Sequence, residues 1–369
     1  MSGIGQDHLP IVAILTIEDA KEKFRGNRDN FLDILRTGKD LGFTVYIVTV
    51  KDLKLGAKRI AGYTYNEDKQ TWEQEWFPPP RIVYNRIPLR EDENQPAVRR
   101  KIEEILEHPG IRLYNPYFFN KWQLFEWLKK SRATRPFIPA TRRLRTAVAL
   151  AKMLNKHPYL FLKPETGKAG MGIMTLRVNH TKAMKFRLKT QDRRRSALFK
   201  CATISKLWGR IRKQAGTHNY IVQQGITLAT VNRRPFDLRV LVQKNSKGQW
   251  DITGVGARVA GSSSITTHVP RGGSIDDPEK LLSANFGVEQ ARRTMARTKN
   301  AAIIIARQIE RGSGHTLGEM SMDLGVDTNG SIWFFEANAK PMKFDEPHIR
   351  RRSLERIFQY SAYLSRTSG

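Results

Sequence analysis

The chain has 369 residues, 40% apolar and 27% charged, with 64 Lys and Arg against 35 Asp and Glu, a formal charge of +29. That composition suits a globular protein of two or three domains, and no apolar run reaches the roughly 20 residues of a membrane span. One cysteine, Cys201, excludes an internal disulfide and cysteine-built zinc clusters, while the positive field selects for nucleotides, nucleic acid or acidic polymers.

Residues 11–17, IVAILTI, read as a buried first strand. No basic region precedes them, and Glu18 and Asp19 follow at once, unlike a signal peptide. GFTVYIVTV (42–50) is a second β-branched strand. Between them Phe31, Leu32, Leu35 and Leu41 recur at helical spacing and Gly42 ends the run. A β-α-β unit of this kind predicts a parallel sheet. TYNEDKQTWEQEWFPPPRIVYNRI predicts a hairpin, a Pro-rich loop and a third strand over 81–87. AVRRKIEEILEHPG predicts a helix ended at Pro109-Gly110. A small α/β domain over 1–115 closes here, leaving 116–369 as the second.

In that second region a helix starts near Asn120, with Trp122, Phe125 and Leu128 on one face. FIPAT is an extended linker, 146–156 a helix and YLFLKP a strand. DRRRSALFKCATISKLWGRIRKQAG reads as a basic helix. YIVQQGI, DLRVLVQKN and WDITGVGARVA are strands, the last two joined at Ser246-Lys247-Gly248. A long helix covers 289–311, and SMDLGVDTNGSIWFFEANAK is a hairpin turning at Asp327-Thr328-Asn329-Gly330.

Two stretches carry chemistry. In LKPETGKAGMGIMTL (162–176), Lys163 ends a strand ahead of Gly167, Gly170 and Gly172, whose backbone freedom lets N–H groups point at an anion. Walker spacing and the Rossmann glycine order are both absent, so a plain hairpin turn with an exposed lysine explains this loop equally. In SIWFFEANAK (331–340), alternation puts Glu336 and Asn338 on one face, with Ile332 and Phe334 before them. Asp323, on the preceding strand, can converge with them across the antiparallel pair. Two carboxylates and an amide suit Mg2+, its other ligands coming from phosphates and water; a polar strand end reaching solvent is the alternative. Turn chemistry accounts for Asp327, and Glu319 reads as a local hydrogen-bond acceptor. Lys200 and Lys206 near Cys201 favour its thiolate, but no histidine is placed beside it, and a reducing, intracellular compartment fits.

NKW, LKPETGKAGMGI, YIVQQGI, DLRVLV and MDLGVD…WFFEANAKP, in that order, resemble the ATP-grasp superfamily over residues 116–345. FIPAT, YLFLKPETGKAGMGI, RPFDLRVLVQKNSKGQW, GARVA and EANAKP are similar to the YheC/YheD-type endospore-coat-associated branch. The resemblance implies a small N-terminal α/β domain followed by an ATP-grasp fold of two α+β subdomains, an α/β protein overall. It implies Mg-ATP as cofactor, with Lys121 and Lys163 on the phosphates and a flexible flap from Gly167 to Gly172. Gln223, Gln224 and Ile226 would lie beside the adenine, Arg239 would face the phosphates, and Asp323, Glu336 and Asn338 would hold the metal. Arg239 and Lys163 would be the catalytic pair. Two departures stand out: Gln224 replaces an acid common near the adenine or ribose, and His268 stands where an amide is expected.

The activity implied is an ATP-dependent carboxylate–amine ligase acting through an acyl phosphate on an anionic small molecule, peptide or polymer. Arg258 and Arg271 are candidates for holding that substrate, since guanidinium takes carboxylate bidentately; surface charge is the alternative. The competing reading is a non-catalytic basic structural protein, or one binding nucleic acid or acidic polymers through DRRRSALFK and HIRRRSLER. Nucleic acid contact is expected to be non-specific. The expected location is the cytoplasm, with association to the endospore coat.

Overall fold

A computed structural model describes residues 9–167, 171–181, 183–191, 196–261, 264, 267 and 273–367. The first part of the chain supplies β1 (Val12–Thr16), β2 (Glu18–Asp19), β3 (Lys23–Phe24), α1 (Arg28–Asp40), β4 (Val45–Thr49), β5 (Ile60–Asn66), β6 (Thr71–Phe77), β7 (Ile82–Asn85), α2 (Arg90–Glu93), α3 (Pro96–Glu107) and β8 (Arg112–Tyr114). Six of these strands form one sheet in the order β6-β5-β4-β1-β7-β8. β1, β4, β7 and β8 run parallel, and the β5–β6 hairpin closes one edge antiparallel. Every residue of β1 and β4 is buried. A parallel strand covered on both faces needs no polar side, hence their unbroken apolar runs.

A smaller lobe follows: α4 (Lys121–Lys129), β9 (Thr141–Arg143), α5 (Ala147–Lys156), β10 (Tyr159–Pro164), β11 (Met174–Val178), β12 (Phe186–Gln191), β13 (Ser196–Cys201), α6 (Ile204–Ala215) and β14 (Tyr220–Gln224). Its antiparallel sheet runs β13-β12-β11-β10-β14-β9, and α5 and α6 cover one face around Leu160, Leu176, Leu188 and Val222. The larger lobe holds β15 (Thr230–Val231), β16 (Arg234–Lys244), β17 (Trp250–Val259), β18 (Ser274–Asp276), α7 (Pro278–Phe286), α8 (Val288–Ser313), β19 (Glu319–Val326), β20 (Ile332–Asn338) and α9 (Pro347–Arg366). Its sheet, β18-β17-β16-β19-β20, packs one face on α4, α7 and α8. The mixed α/β architecture, a mostly parallel sheet followed by two antiparallel lobes, is the fold class expected from the sequence.

Several local expectations fail. Of the stretch read as a basic helix, residues 192–195 lie outside the described ones and the next six are a strand: β13 pairs along all of β12, and Thr203 caps α6 only afterwards by accepting from the Lys206 N–H. Arginines masked a two-residue alternation that buries Cys201 and half-buries Phe199. Cys201 is a free, buried thiol of this lobe's core. In α4 the buried apolar residues are Leu124, Phe125 and Leu128; Trp122 is only partly buried, beneath Lys129 and Arg143 at 4.7 and 5.2 Å. Glu319 accepts hydrogen bonds as expected, but not locally: its partners are Tyr84, Arg86 and Gln243.

The C-terminal helix α9, which the sequence reading assigns to 116–369, sends Leu354, Ile357, Phe358 and Leu364 into the core of the first sheet beside Val12, Ile14 and Phe31. Asn115 ties the same sheet to the larger lobe. Its side chain donates to the carbonyls of Glu319 (2.8 Å) and Ala339, and accepts from the N–H groups of Gly318 (2.7 Å) and Glu319 (3.2 Å). Asn115 also takes the left-handed conformation, φ +56°, which asparagine tolerates better than most residues.

Candidate active site

Three strands of the larger lobe build one side of the site. Arg239 on β16 stands opposite Asp323 on β19, and Asp323 opposite Glu336 on β20, a cation–anion–anion row across the sheet. A β-bulge makes this row. Leu324 pairs with Phe334 but Asp323 pairs with Glu336, so Phe335 is an extra residue in β20. Simple alternation placed Glu336 and Asn338 on the face of Ile332 and Phe334; the bulge reverses the phase. Ile332, Phe334 and Ala337 enter the core, while Glu336 and Asn338 open on the other face, opposite Asp323 and Ser321. Without the extra residue, Glu336 would oppose Met322 and point inward.

Each carboxylate of the row has a cation. The Lys121 ammonium donates to Glu336. Arg258 donates to Asp323 at 2.7 Å and to both oxygens of Asp237 at 3.0 and 3.1 Å. Burial would favour a neutral Arg258, but Asp237 and Asp323 outweigh it and push the guanidinium pKa up. Arg258, the candidate for holding substrate, is not a surface charge: it is buried on the cavity wall with Asp237 and Asp323 as its partners. Arg239 differs: its Nε is buried with no hydrogen-bond partner among the described residues, and its guanidinium lies 4.7 Å above the Phe344 ring. Burial lowers its pKa, partly offset by Asp323. Gly256 faces Arg239 from β17; a Cβ there would lie 2.4 Å from a Glu346 carboxylate oxygen and would make that side chain shift.

The smaller lobe brings Lys163 to face this row. Its ammonium donates to Gln223 at 2.7 Å and lies 5.4 Å from the Phe335 ring. Burial pushes the Lys163 pKa down to about 8, against the pull of Glu336 and helped by Lys121. Gln223 donates onward to Thr141 at 2.9 Å, locking its orientation. Gln224 accepts from the Ala140 N–H at 3.2 Å.

A cavity of about 880 Å3 lies between the lobes. Lys121, Gly167, Gly172, Arg239, Asp323, Glu336 and Asn338 all line it, whereas Lys163, Gln223, Gln224 and Ile226 do not. Gly170, His268 and Arg271 lie outside the described residues. Among the described residues no three His, Cys, Asp and Glu side chains gather as a metal site. Asp323, Glu336 and Asn338 present carboxylate and amide oxygens along one strand pair, a donor set that fits a hard divalent cation.

Sequence reasoning missed the first sheet's contribution. Leu89, Arg90 and Glu91 also line the cavity, and Lys340 beside it forms a buried 2.6 Å ion pair with Glu93. The available signal was position: these residues follow the carboxyl end of β7, and in parallel sheets ligands bind beyond strand carboxyl ends.

Several known proteins share this architecture. The D-alanyl-alanine synthetase A of Vibrio cholerae aligns with TM-score 0.53 and 13% identity, covering 98% of this chain and 97% of that one. The VanG D-Ala:D-Ser ligase of Enterococcus faecalis aligns with TM-score 0.55 and 13% identity, covering 96% and 99%. At such identity these show the fold, which is that of ATP-grasp ligases. The endospore coat-associated protein YheD of Bacillus subtilis (strain 168) is 27% identical over 372 residues, spanning 96% of this chain and 79% of the relative. No helix among the described residues is long and apolar enough to cross a membrane. The model of the YheC/D like ATP-grasp family matches residues 110–364, well over half of the sequence, and the chain belongs to that family.

Proposed function

We propose that the chain binds ATP with Mg2+ between its lobes and uses it to join a carboxylate to an amine. The observation that carries this is the row Arg239–Asp323–Glu336 with Lys121 and Lys163 turned toward it. Cations for a triphosphate and carboxylates for its counter-ion share one rim. Asp323, Glu336 and Asn338 would hold the ion, which supplies charge neutralisation at the phosphate oxygens when bound.

In this reading Lys121 and Lys163 hold the nucleotide phosphates beside Gly167, Gly170 and Gly172, with Gln223, Gln224 and Ile226 near the adenine. A substrate carboxylate oxygen attacks the γ-phosphorus and ADP departs with the bridging electron pair. The amine nitrogen then attacks the acyl carbon, phosphate leaves, and the nitrogen loses a proton to give the amide. Arg239 and Lys163 stabilise charge on the transferring phosphoryl group from opposite lobes. The substrate is anionic, and the work would be done in the cytoplasm or at the endospore coat, a reading that likeness to the coat-associated relative supports. The +29 charge keeps a second reading in play, a polymer-binding protein without turnover. A screen for ADP release against amino acids, peptides and acidic polymers, with mass spectrometry of products, separates the two. Turnover with an acceptor supports the ligase; salt-sensitive polymer binding with no turnover supports the second reading.

Lys163 makes a pH test. With its free-state pKa at about 8, it is charged below pH 8 and neutral above. A bound triphosphate favours the charged form and raises that pKa, so nucleotide affinity should fall as pH rises from 8 toward the complex value. Calorimetric titration with a nonhydrolysable analogue should show this decline, and Lys163→Arg should flatten it. A wild-type affinity constant from pH 7 to 10 would remove Lys163 from the phosphate site.

A further inference from the structure

The positive charge is concentrated in one lobe. Residues 141–224 hold twenty Lys and Arg and two acids, Glu165 and Asp192, a net +18 of the chain's +29. Glu165 is already engaged by Arg143 at 2.9 Å. On the sheet face away from α5 and α6, Arg177 stands opposite Arg187, and Arg187 opposite Lys200. Like charges directly opposite each other destabilise a sheet unless an anion lies over them. Round the edge, Lys206, Arg210 and Lys213 recur at i, i+4 and i+7, on one face of α6. With Lys200 and Met184 they line a groove of about 530 Å3 that has no acidic wall. None of these six cations has an ion-pair partner among the described residues.

Two further features describe the ligand. Gly209, in the middle of α6, lines the same groove, and a Cβ there would touch nothing within 4 Å. A glycine inside a helix costs about 1 kcal/mol relative to alanine, so the helix loses stability where the groove stays bare. Among the described residues β13 is the outermost strand of its sheet, with one side of its backbone without a partner strand. Two rings beside the patch are already covered, Arg177 lying over Tyr159 at 3.6 Å and Arg210 over Phe199 at 4.4 Å, and Trp208 and Phe186 are half-buried against the lobe's core. Single-stranded nucleic acid binds through bare aromatic faces as well as charge. An extended peptide needs a free strand edge for its main chain and flanking cations for its carboxylates, and both are present.

We propose that the β13 edge and the outer face of α6 dock an acidic polypeptide segment in extended form, outside the cavity between the lobes. This goes beyond the ligase reading and does not depend on it. The test is fluorescence anisotropy of the full chain with a labelled decaglutamate peptide at moderate salt, without nucleotide. Lys206→Glu/Lys213→Glu should weaken binding by about tenfold or more. Lys206→Glu is mild for the fold, since it places a glutamate three residues after the Thr203 cap. Gly209→Gln should raise the Tm and still weaken binding, which separates docking from folding. Hydrogen exchange of residues 196–201 should slow with peptide bound. Unchanged affinity in both variants, or unchanged exchange over 196–201, would overturn the proposal. So would labelled oligothymidylate displacing the peptide at lower concentration, which would assign the surface to nucleic acid. Because no ATP is present, either outcome leaves the ligase assay to be judged separately.

Discussion

Glu336→Gln should cut ATP-dependent turnover by about a hundredfold or more while the protein stays folded. Glutamine keeps the shape of the side chain but removes the charge that, with Asp323, balances the metal ion and the cations of the site. The bulge at Phe335 makes this position sensitive: it turns Glu336 onto the site face, opposite Asp323, and no neighbouring acid on β20 can replace it. The fold should tolerate the change because Glu336 is only partly buried and its ion pair with Lys121 lies at the cavity rim. ADP release, with circular dichroism as the control for folding, reads the result. A folded Glu336→Gln protein that consumes ATP like wild type would remove Glu336 from the site.

Asn115→Ala should destabilise the chain by about 3 kcal/mol or more, since each buried polar group left unpaired costs about 1–3 kcal/mol. The side chain is fully buried and serves four backbone groups, two at the start of β19, one at Gly318 and one at Ala339 just past β20. Alanine would also be strained at φ +56°. The loss should appear as a lower denaturant midpoint. Nucleotide affinity should fall too, because Ala339 directly follows Asn338 at the cavity wall. An unfolding free energy within a few tenths of a kcal/mol of wild type would show that water or backbone rearrangement replaces these bonds.

Much of this was legible along the chain. The apolar runs of β1 and β4, the helical spacing of Phe31 and Leu35, and the turn at Asp327-Thr328-Asn329-Gly330 each arise from residues a few positions apart, and the structure keeps all of them. The order of NKW, LKPETGKAGMGI, DLRVLV and EANAKP was enough to point to the fold, and it named Lys121, Arg239, Asp323, Glu336 and Asn338, which line one cavity. What failed was phase and partnership. Alternation read across Phe335 gave the wrong face for Glu336, because a bulge is visible only in the register against β19. Surface charge stayed open for Arg258 because its two carboxylate partners come from other strands.

The sequence by itself determined most element types, the class of fold and, from 116 onward, Lys121, Gly167, Gly172, Arg239, Asp323, Glu336 and Asn338 as residues facing the cavity. Those depend on local propensity, periodicity and motif order, which act between neighbours in the chain. Only the tertiary structure decided which cation neutralises which acid, how Tyr84 and Arg86 meet Glu319 from more than two hundred residues away, and that α9 returns to cover the first sheet. It also decided that the charge of the smaller lobe gathers at the β13 edge. Such pairings are set by which surfaces pack together, and burial and hydrogen-bond satisfaction select among many arrangements that the local pattern alone permits.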